Sequence, residues 1–476
     1  MIKNFLTRYR PRYIRTLVYM LQSSEYNLAD YLAWFHRIGD FSAVEKRKQL
    51  KKTSKALLVW ALAWALALVF VLLAIWLISL SNLWGYLLGV LTLVALPFLV
   101  AYGVTIPLVA LQIVIQKPIE YVIIQRAKKV LEKHTAIKIG VAGSFGKTTM
   151  REILKTVLAE GKHVAAPPYS YNTPLGISSF VKTLNGDEEV LIFEMGEYYP
   201  GDVRRLCDLV QPDIGVITGI NEAHLHKFKT LNRTVKTIYE LADHLGDKPV
   251  YVNGENELAK DNARPGHIVY SRSGTTDINI ENASANLSEV SFTLSYSGQN
   301  IKLSSSLLGM HQIGPLAVSA DIALRLGLSP EQVQVGIANT KPFDHRLEPK
   351  TDAEGIVTLD DSYNGNPDGV KAVINFLALL KNHRRFYVTP GLVEMGARTE
   401  AVHRDVGKWL AEAGIEKVVL IKNSVTPYIE QGLKNSGYQG EVLWFDEALQ
   451  AFSALPQMTV TGDVVLLQND WPDQYA

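Results

Sequence analysis

Ile137-Lys138-Ile139-Gly140-Val141-Ala142-Gly143-Ser144-Phe145-Gly146-Lys147-Thr148-Thr149 is the stretch whose reading decides the fold. Ile137 to Ala142 is a short β-branched run of the kind that forms a buried strand. It breaks at a glycine-flanked loop, and a helical pattern starts at Thr149-Met150-Arg151-Glu152-Ile153-Leu154. A strand, a glycine loop, then a lysine and hydroxyls at a helix start is the way a nucleoside triphosphate is held. Backbone N–H groups and the positive end of the helix dipole face the phosphates. Lys147 is placed to neutralise β/γ oxygens, and Thr148 to put a hydroxyl on Mg²⁺. Val141 stands where the strict P-loop spacing has glycine, so the loop is a shorter variant.

The chain around it has 476 residues, more than one core can serve. Its net charge of +1 gives no field for nucleic acid, and none is expected as a partner. The single cysteine, Cys207, excludes a disulfide framework and a cysteine-built zinc site.

Apolar residues are spread unevenly. Residues 1–55 form a basic, aromatic leader, with Arg8, Arg10, Arg12 and Arg15 and then Lys46-Arg47-Lys48, Lys51, Lys52 and Lys55. Leu17, Met20 and Leu21, and again Leu28, Tyr31, Leu32 and Phe35, recur at helical spacing. Two readings stand here: amphipathic helices lying on membrane lipid, or a solvated basic leader that only sets topology. Residues 56–116 follow as two apolar stretches, Ala56 to Leu80 and Leu83 to Ile115, joined by Ser81-Asn82. They are expected to form a two-helix transmembrane hairpin. Basic flanks on both sides put both ends, and the domains beyond, in the cytoplasm at the inner membrane. The spans carry no charge, so they read as an anchor, not a channel.

From residue 117 the pattern is α/β. Strand-like runs at Val190–Phe193, Ile214–Thr218, Val250–Val252 and His267–Tyr270 alternate with helices, which predicts a mainly parallel central sheet in a P-loop-type domain, residues 117–345. Period-two alternation between about 277 and 308 predicts a small antiparallel addition. Residues 346–476 repeat the alternation, with strands at Ile356–Leu359, Phe386–Val388, Lys417–Ile421, Val442–Phe445 and Val464–Leu467. They predict a C-terminal doubly wound α/β domain.

Several segments carry more polar chemistry than packing needs. Glu194 closes a strand next to the phosphate loop, where a carboxylate suits Mg²⁺. Asn221-Glu222-Ala223-His224 follows another strand end. Asp360-Asp361-Ser362-Tyr363-Asn364-Gly365-Asn366-Pro367 is an acidic, amide-rich turn that fits a ribose grip or an Asx turn before a helix.

In this order the segments resemble the Mur ligase family of ATP-dependent, amide-forming cell-wall enzymes, and within it the MurF type. The likeness rests on Gly143-Ser144-Phe145-Gly146-Lys147-Thr148-Thr149, Tyr171-Asn172-Thr173-Pro174-Leu175-Gly176, Glu194-Met195-Gly196, Asn221 to Leu225, Val235 to Glu240, His345-Arg346-Leu347-Glu348, Asp361 with Tyr363 to Pro367, and Gly391 to Gly396 followed by His403. The resemblance implies ATP and Mg²⁺ as cofactors. It implies metal ligation by Thr148, Glu194, His224 and a carbamylated Lys236, with Lys147, His224 and Lys236 catalytic. It also implies nucleotide contacts from residues 143–149, Arg346 and Asp361, and substrate contacts from Asn172, Tyr363, Asn364 and Asn366.

The implied reaction joins a carboxylate-bearing peptidoglycan precursor to an amino acid or dipeptide amine through an acyl phosphate. Two departures bear on substrate. The leader and hairpin stand where the family has its UDP-sugar-binding domain, and Gln468-Asn469-Asp470 stands where MurF-type enzymes read Lys-Gly-Ser-Arg. Two other functions remain open on the sequence: a ligase of another polymer, such as a poly-γ-glutamate chain, and a non-catalytic nucleotide-binding membrane scaffold.

Overall fold

The computed structural model describes the chain except residues 1–5, 25, 42–43, 45–48, 169–170, 222–227, 364, 394 and 470–476. The chain divides into two compact units, Met1–Val122 and Ile123–Trp471.

The first unit is helical. Both leader helices form, Tyr13–Ser23 and Leu28–Arg37, the second capped by Asn27, whose side chain accepts from the N–H of Ala29 and Asp30. Their apolar faces do not point outward. Leu17, Val18, Met20, Leu21, Tyr31 and Phe35 are buried in one core with Ala56, Val59, Ala63, Val100, Ala101, Val104 and Leu108 of the hairpin. Tyr13 and Tyr31 each donate a hydroxyl to a hairpin carbonyl, those of Pro97 and Ala101, both at 3.0 Å. Leader and hairpin base therefore share one apolar core. The hairpin provides a better partner for those faces than water does, since apolar burial stabilises at about 25 cal/mol per Å².

Two helices here are long and apolar enough to cross a membrane, Ser54–Ser79 and the continuous run Leu83–Lys133. Ser54–Ser79 has 26 residues, a length of about 39 Å. Asn82 caps the second by accepting from Gly85 N–H, so the tight connection needs no charged residue. Leu68, Val69, Leu72, Ile75 and Trp76 on the first helix and Leu83, Trp84, Leu87 and Leu91 on the second are exposed.

The second unit holds the predicted sheets. Six parallel strands run β2-β3-β1-β4-β5-β6. They are β1 Ile137–Ala142, β2 Val164–Ala165, β3 Val190–Glu194, β4 Ile214–Ile217, β5 Val250–Asn253 and β6 Ile268–Tyr270. β1 lies in the middle, with Ile139 opposite both Ile192 and Ile214. It is covered on both faces, which is why its sequence is apolar but for Lys138, near its start. From β1 the chain goes out to β2, returns to β3 beside β1, and then crosses past β1 to β4 on its other side. The strand order therefore changes direction at β1, and the carboxyl ends of β3, β1 and β4 lie side by side there.

β7 Asn279–Ala285, β8 Val290–Tyr296 and β9 Gln299–Ser305 make the antiparallel addition. The last sheet runs β10-β11-β15-β12-β13-β14. It comprises β10 Glu348–Thr351, β11 Val357–Asp361, β12 Arg385–Thr389, β13 Lys417–Ile421, β14 Glu441–Phe445 and β15 Val464–Gln468, parallel but for β10.

Candidate active site

The phosphate loop leaves β1 at Gly143 and enters the helix Lys147–Leu158 through Gly146, whose φ of +76° is a left-handed cap. Gly143 needs glycine for space as well: a Cβ there would lie 2.2 Å from Thr218 Oγ1. The loop is tied to the end of β4, because Ser144 N–H donates to Gly219 O at 2.7 Å and Thr218 hydroxyl donates to Phe145 O. The Phe145 ring covers Gly219, where a Cβ would come within 2.3 Å of it. This packing ties the loop to the carboxyl end of β4.

Glu194, at the end of β3, is 3% exposed. Its Oε2 accepts from Thr148 hydroxyl at 2.9 Å and lies 3.4 Å from the Arg151 guanidinium; its Oε1 accepts from Asn172 Nδ2 at 3.0 Å. Asn172 is held in turn, since its carbonyl accepts from Gly196 N–H at 3.0 Å. Thr173 caps the following helix by accepting from Gly176 N–H. Asn172 Oδ1 is buried and has no hydrogen-bond partner among the described residues. Carboxylate, hydroxyl and amide oxygens with one orphaned buried acceptor are the donor chemistry a hard cation such as Mg²⁺ takes, so the set fits that ion.

Lys147 donates to Gly143 O and pairs with a residue the sequence did not single out, Glu197, at 2.8 Å. Arg151, one turn along the helix, is a second such residue; it joins Glu194 to Glu152, the latter at 2.5 Å. Only the i, i+4 spacing from Lys147 hinted at it.

The C-terminal domain brings its acidic turn to the same unit. Asn221 is buried and its Nδ2 donates to Asn366 Oδ1 and Asp368 Oδ2, each at 2.8 Å. Asn366 itself caps the helix Pro367–Leu379 by accepting from Gly369 N–H at 3.0 Å. Asp361 accepts from Gln468 Nε2 at 2.6 Å and from Leu347 N–H at 3.1 Å. Burial pushes its carboxyl above the usual range, opposed by Gln468 and the Arg346 charge. Arg346 lies over the Tyr363 ring, 4.9 Å from the centroid. Burial weakens its hold on its proton, while the carboxylates of Glu194 and Asp361 favour the charge.

Lys236 sits exposed on the helix Leu231–Leu245, next to buried Val235. His224 and Asn364 lie outside the described residues. His403 is fully buried: its Nε2 accepts from Leu392 N–H at 2.9 Å and its Nδ1 meets Thr399 O at 2.5 Å, so it braces the loop after β12. His345, Glu348 and Asp360 also cluster, but Lys350 already pairs with Glu348 at 2.9 Å and Asp360 at 3.2 Å.

A phosphate loop and a buried metal-type carboxylate on one α/β domain, with an Arg–Asp–Tyr group from a second, define a nucleotide-dependent two-domain class. Residues 141–322 match the family described as Mur ligase middle domain, and residues 345–468 the one described as Mur ligase, glutamate ligase domain. The chain belongs to the Mur ligase family by these domains. Among its relatives is the UDP-N-acetylmuramoyl-tripeptide–D-alanyl-D-alanine ligase of Mycobacterium tuberculosis, 29% identical over 294 residues, 60% of this chain. The enzyme of that name from Bacillus subtilis is 25% identical over 347 residues, covering 72% of this chain and 75% of that one. The chain spans 58% of the length of the mycobacterial relative. The fold matches MurF ligase of Thermotoga maritima solved with ADP, with a TM-score of 0.66 and 22% identity over 74% of this chain and 80% of that one.

Proposed function

We propose that this protein is a membrane-anchored, ATP-dependent carboxylate–amine ligase of the MurF type. The observation that carries the reading is Glu194, buried at the end of β3 and held by Thr148 of the phosphate loop and by Asn172. Such a triad has no packing purpose that an apolar residue would not serve at lower desolvation cost. The relatives' names support a peptidoglycan precursor peptide as the acid and D-alanyl-D-alanine as the amine.

In this reading the loop N–H groups and Lys147 hold the β/γ-phosphates, and Arg346 with Asp361 and Tyr363 reaches the nucleotide from the C-terminal domain. A substrate carboxylate attacks the γ-phosphorus of ATP, ADP leaves, and an acyl phosphate forms. The amine then adds to the acyl carbon, loses a proton, and the tetrahedral adduct expels phosphate to leave an amide. Positioning and charge neutralisation suffice for the first step. Mg²⁺, held through Thr148, Glu194 and Asn172, supplies charge neutralisation on the phosphates when bound. His224 and Lys236 are proposed to serve the same end of the site.

Purified protein supplied with ATP, Mg²⁺, precursor peptide and D-alanyl-D-alanine should release ADP only when acid and amine are both present. Release with neither would overturn the reading. A non-catalytic scaffold would bind nucleotide and release none.

The two apolar helices support anchorage in the cytoplasmic membrane, with both flanks cytoplasmic, since Lys51, Lys52 and Lys55 precede them and Lys117, Arg126, Lys128 and Lys129 follow. Retention in the pellet through an alkaline carbonate wash is the expected result. Full extraction would refute the anchor.

A further inference from the structure

Gln468 ends β15, the strand that lies between β11 and β12 in the last sheet. The chain runs from β11 to β12 and adds β15 between them last, so the carboxyl ends of these three parallel strands meet where the strand order changes. Gln468 is 1% exposed, and both bonds of its Nε2 fall on one residue: Asp361 Oδ2 at 2.6 Å and Asp361 O at 3.2 Å. Its Oε1 is buried with no partner among the described residues. A buried amide with an unpaired oxygen is costly, and filling space there asks only for an apolar side chain such as Leu466, two residues earlier. The amide serves Asp361. Its orientation follows as well, since an oxygen in place of Nε2 would face a carboxylate.

Asp361 is itself part-exposed. Its Oδ1 accepts from Leu347 N–H at 3.1 Å and its Oδ2 from Gln468. An ionised carboxylate has about four acceptor positions, so one remains on each oxygen, a pair that suits the two hydroxyls of a ribose. Arg346, beside Leu347, favours the anion. Asp360, the preceding residue of β11, opposes it but is paired with His345 at 2.8 Å and Lys350 at 3.2 Å. Tyr387 of β12 is kept a neutral phenol by burial.

We propose that Gln468 is a positioning residue for nucleotide selection, holding Asp361 as the acceptor of both ribose hydroxyls. The ionised carboxylate accepts from the two hydroxyls; protonation turns one acceptor position into a donor. Gln468 favours the ionised form against burial by donating to it. No covalent bond changes. The inference rests on the nucleotide reading above.

The test measures binding of ADP and of 2′,3′-dideoxy-ADP to full-length protein in detergent, by calorimetry from about pH 5 to about pH 9. The ratio of the two dissociation constants cancels phosphate titration, which both ligands share. Wild-type ADP binding is scored first. Its absence would overturn the nucleotide reading and this assignment with it. With binding established, wild type should prefer ADP by about tenfold or more at the alkaline end. A ratio near one throughout would overturn the assignment alone.

Gln468→Met keeps the volume without the donor. Its preference for ADP should be lost at higher pH than in wild type, by about one pH unit. An unchanged pH dependence of the ratio would overturn the assignment. Should that variant fail to fold, Gln468→Asn decides by the same two outcomes, because its amide falls a methylene short of Oδ2. In an Asp361→Asn background the ratio should be flat with pH, and adding Gln468→Met should leave it flat. A pH dependence that Gln468→Met creates without Asp361 would overturn the assignment, since Gln468 would then act elsewhere.

Discussion

Thr148 donates its hydroxyl to Oε2 of Glu194 across 2.9 Å, joining the start of the phosphate-loop helix to the end of β3. Three donors converge on this carboxylate: Thr148, Asn172 Nδ2 and Arg151. Glu194→Gln keeps the shape but turns one acceptor into a donor that faces other donors. Mg²⁺-dependent nucleotide affinity should fall by about 10–100-fold, with metal-free affinity nearly unchanged. Calorimetric titration with ADP, with and without Mg²⁺, checks this. Equal metal dependence in both proteins would remove Glu194 from the metal site.

The Arg346 guanidinium stands over Tyr363 and is coupled to the charges of Glu194 and Asp361. Lysine would keep the charge but lose the plane and the fork of donors. Arg346→Lys should weaken ADP binding about fivefold to thirtyfold, equivalent to about 1–2 kcal/mol. Anisotropy of a fluorescent ADP would read it, and wild-type affinity in the variant would place Arg346 outside the nucleotide contacts.

Much of this was legible along the chain because the signals are local. β1 is a six-residue strand, apolar but for Lys138, and the glycines that bracket the loop are required by backbone conformation and by Thr218 at close range. Glu194 was found because a carboxylate at a strand end is conspicuous. Glu197 was not, since Glu197-Tyr198-Tyr199-Pro200 reads as an exposed turn and its burial arises only when the loop folds over Lys147. Arg151 was hidden for the opposite reason: an arginine after Lys-Thr-Thr-Met reads as the solvent side of a helix, yet it is 2% exposed. The leader helices were legible by periodicity, but which surface they cover depends on the hairpin, about 40 residues on in the chain. Asn366 was read as a substrate residue or a turn; its cap on Pro367–Leu379 is the local role, and its bond from Asn221 is a tertiary one no spacing discloses.

His403 shows how a buried histidine serves a loop. Its Nε2 must be unprotonated to accept from Leu392 N–H, and burial holds its pKa below the ordinary value, opposed by the bonds to Thr399 and Leu392. A folded-state pKa below the unfolded one contributes stability that is complete above about pH 6.5 and is lost as pH falls through the folded value. His403→Leu leaves the Leu392 N–H without its acceptor and should cost about 1–3 kcal/mol at neutral pH. Thermal melts should show the difference from wild type narrowing below about pH 6.5. A difference that stays constant with pH would mean that the imidazole acts only by its shape.

Glu188 makes the opposite case, a carboxylate stabilised as an anion. Burial alone would raise its pKa, but N–H donors from Asn185 and Gly186, each at 2.8 Å, and His134 Nε2 at 3.0 Å outweigh it. The carboxyl is drawn from 4.5 down to about 2. A depressed folded-state pKa contributes stability that is complete above the unfolded value and vanishes as pH falls through the folded one. The contribution should therefore be intact at pH 7 and decline between 4.5 and about 2. Glu188→Gln retains one acceptor and the side-chain volume but not the charge. At pH 7 its Tm should lie below that of wild type, by roughly 2–4 °C for each kcal/mol lost in a domain of this size. As the buffer is taken from pH 5 toward pH 3, the wild-type melting point should drop toward that of the variant, while the variant itself moves less. If both melting curves shift in parallel over that range, the turn is held by the shape of the side chain and not by its ionisation.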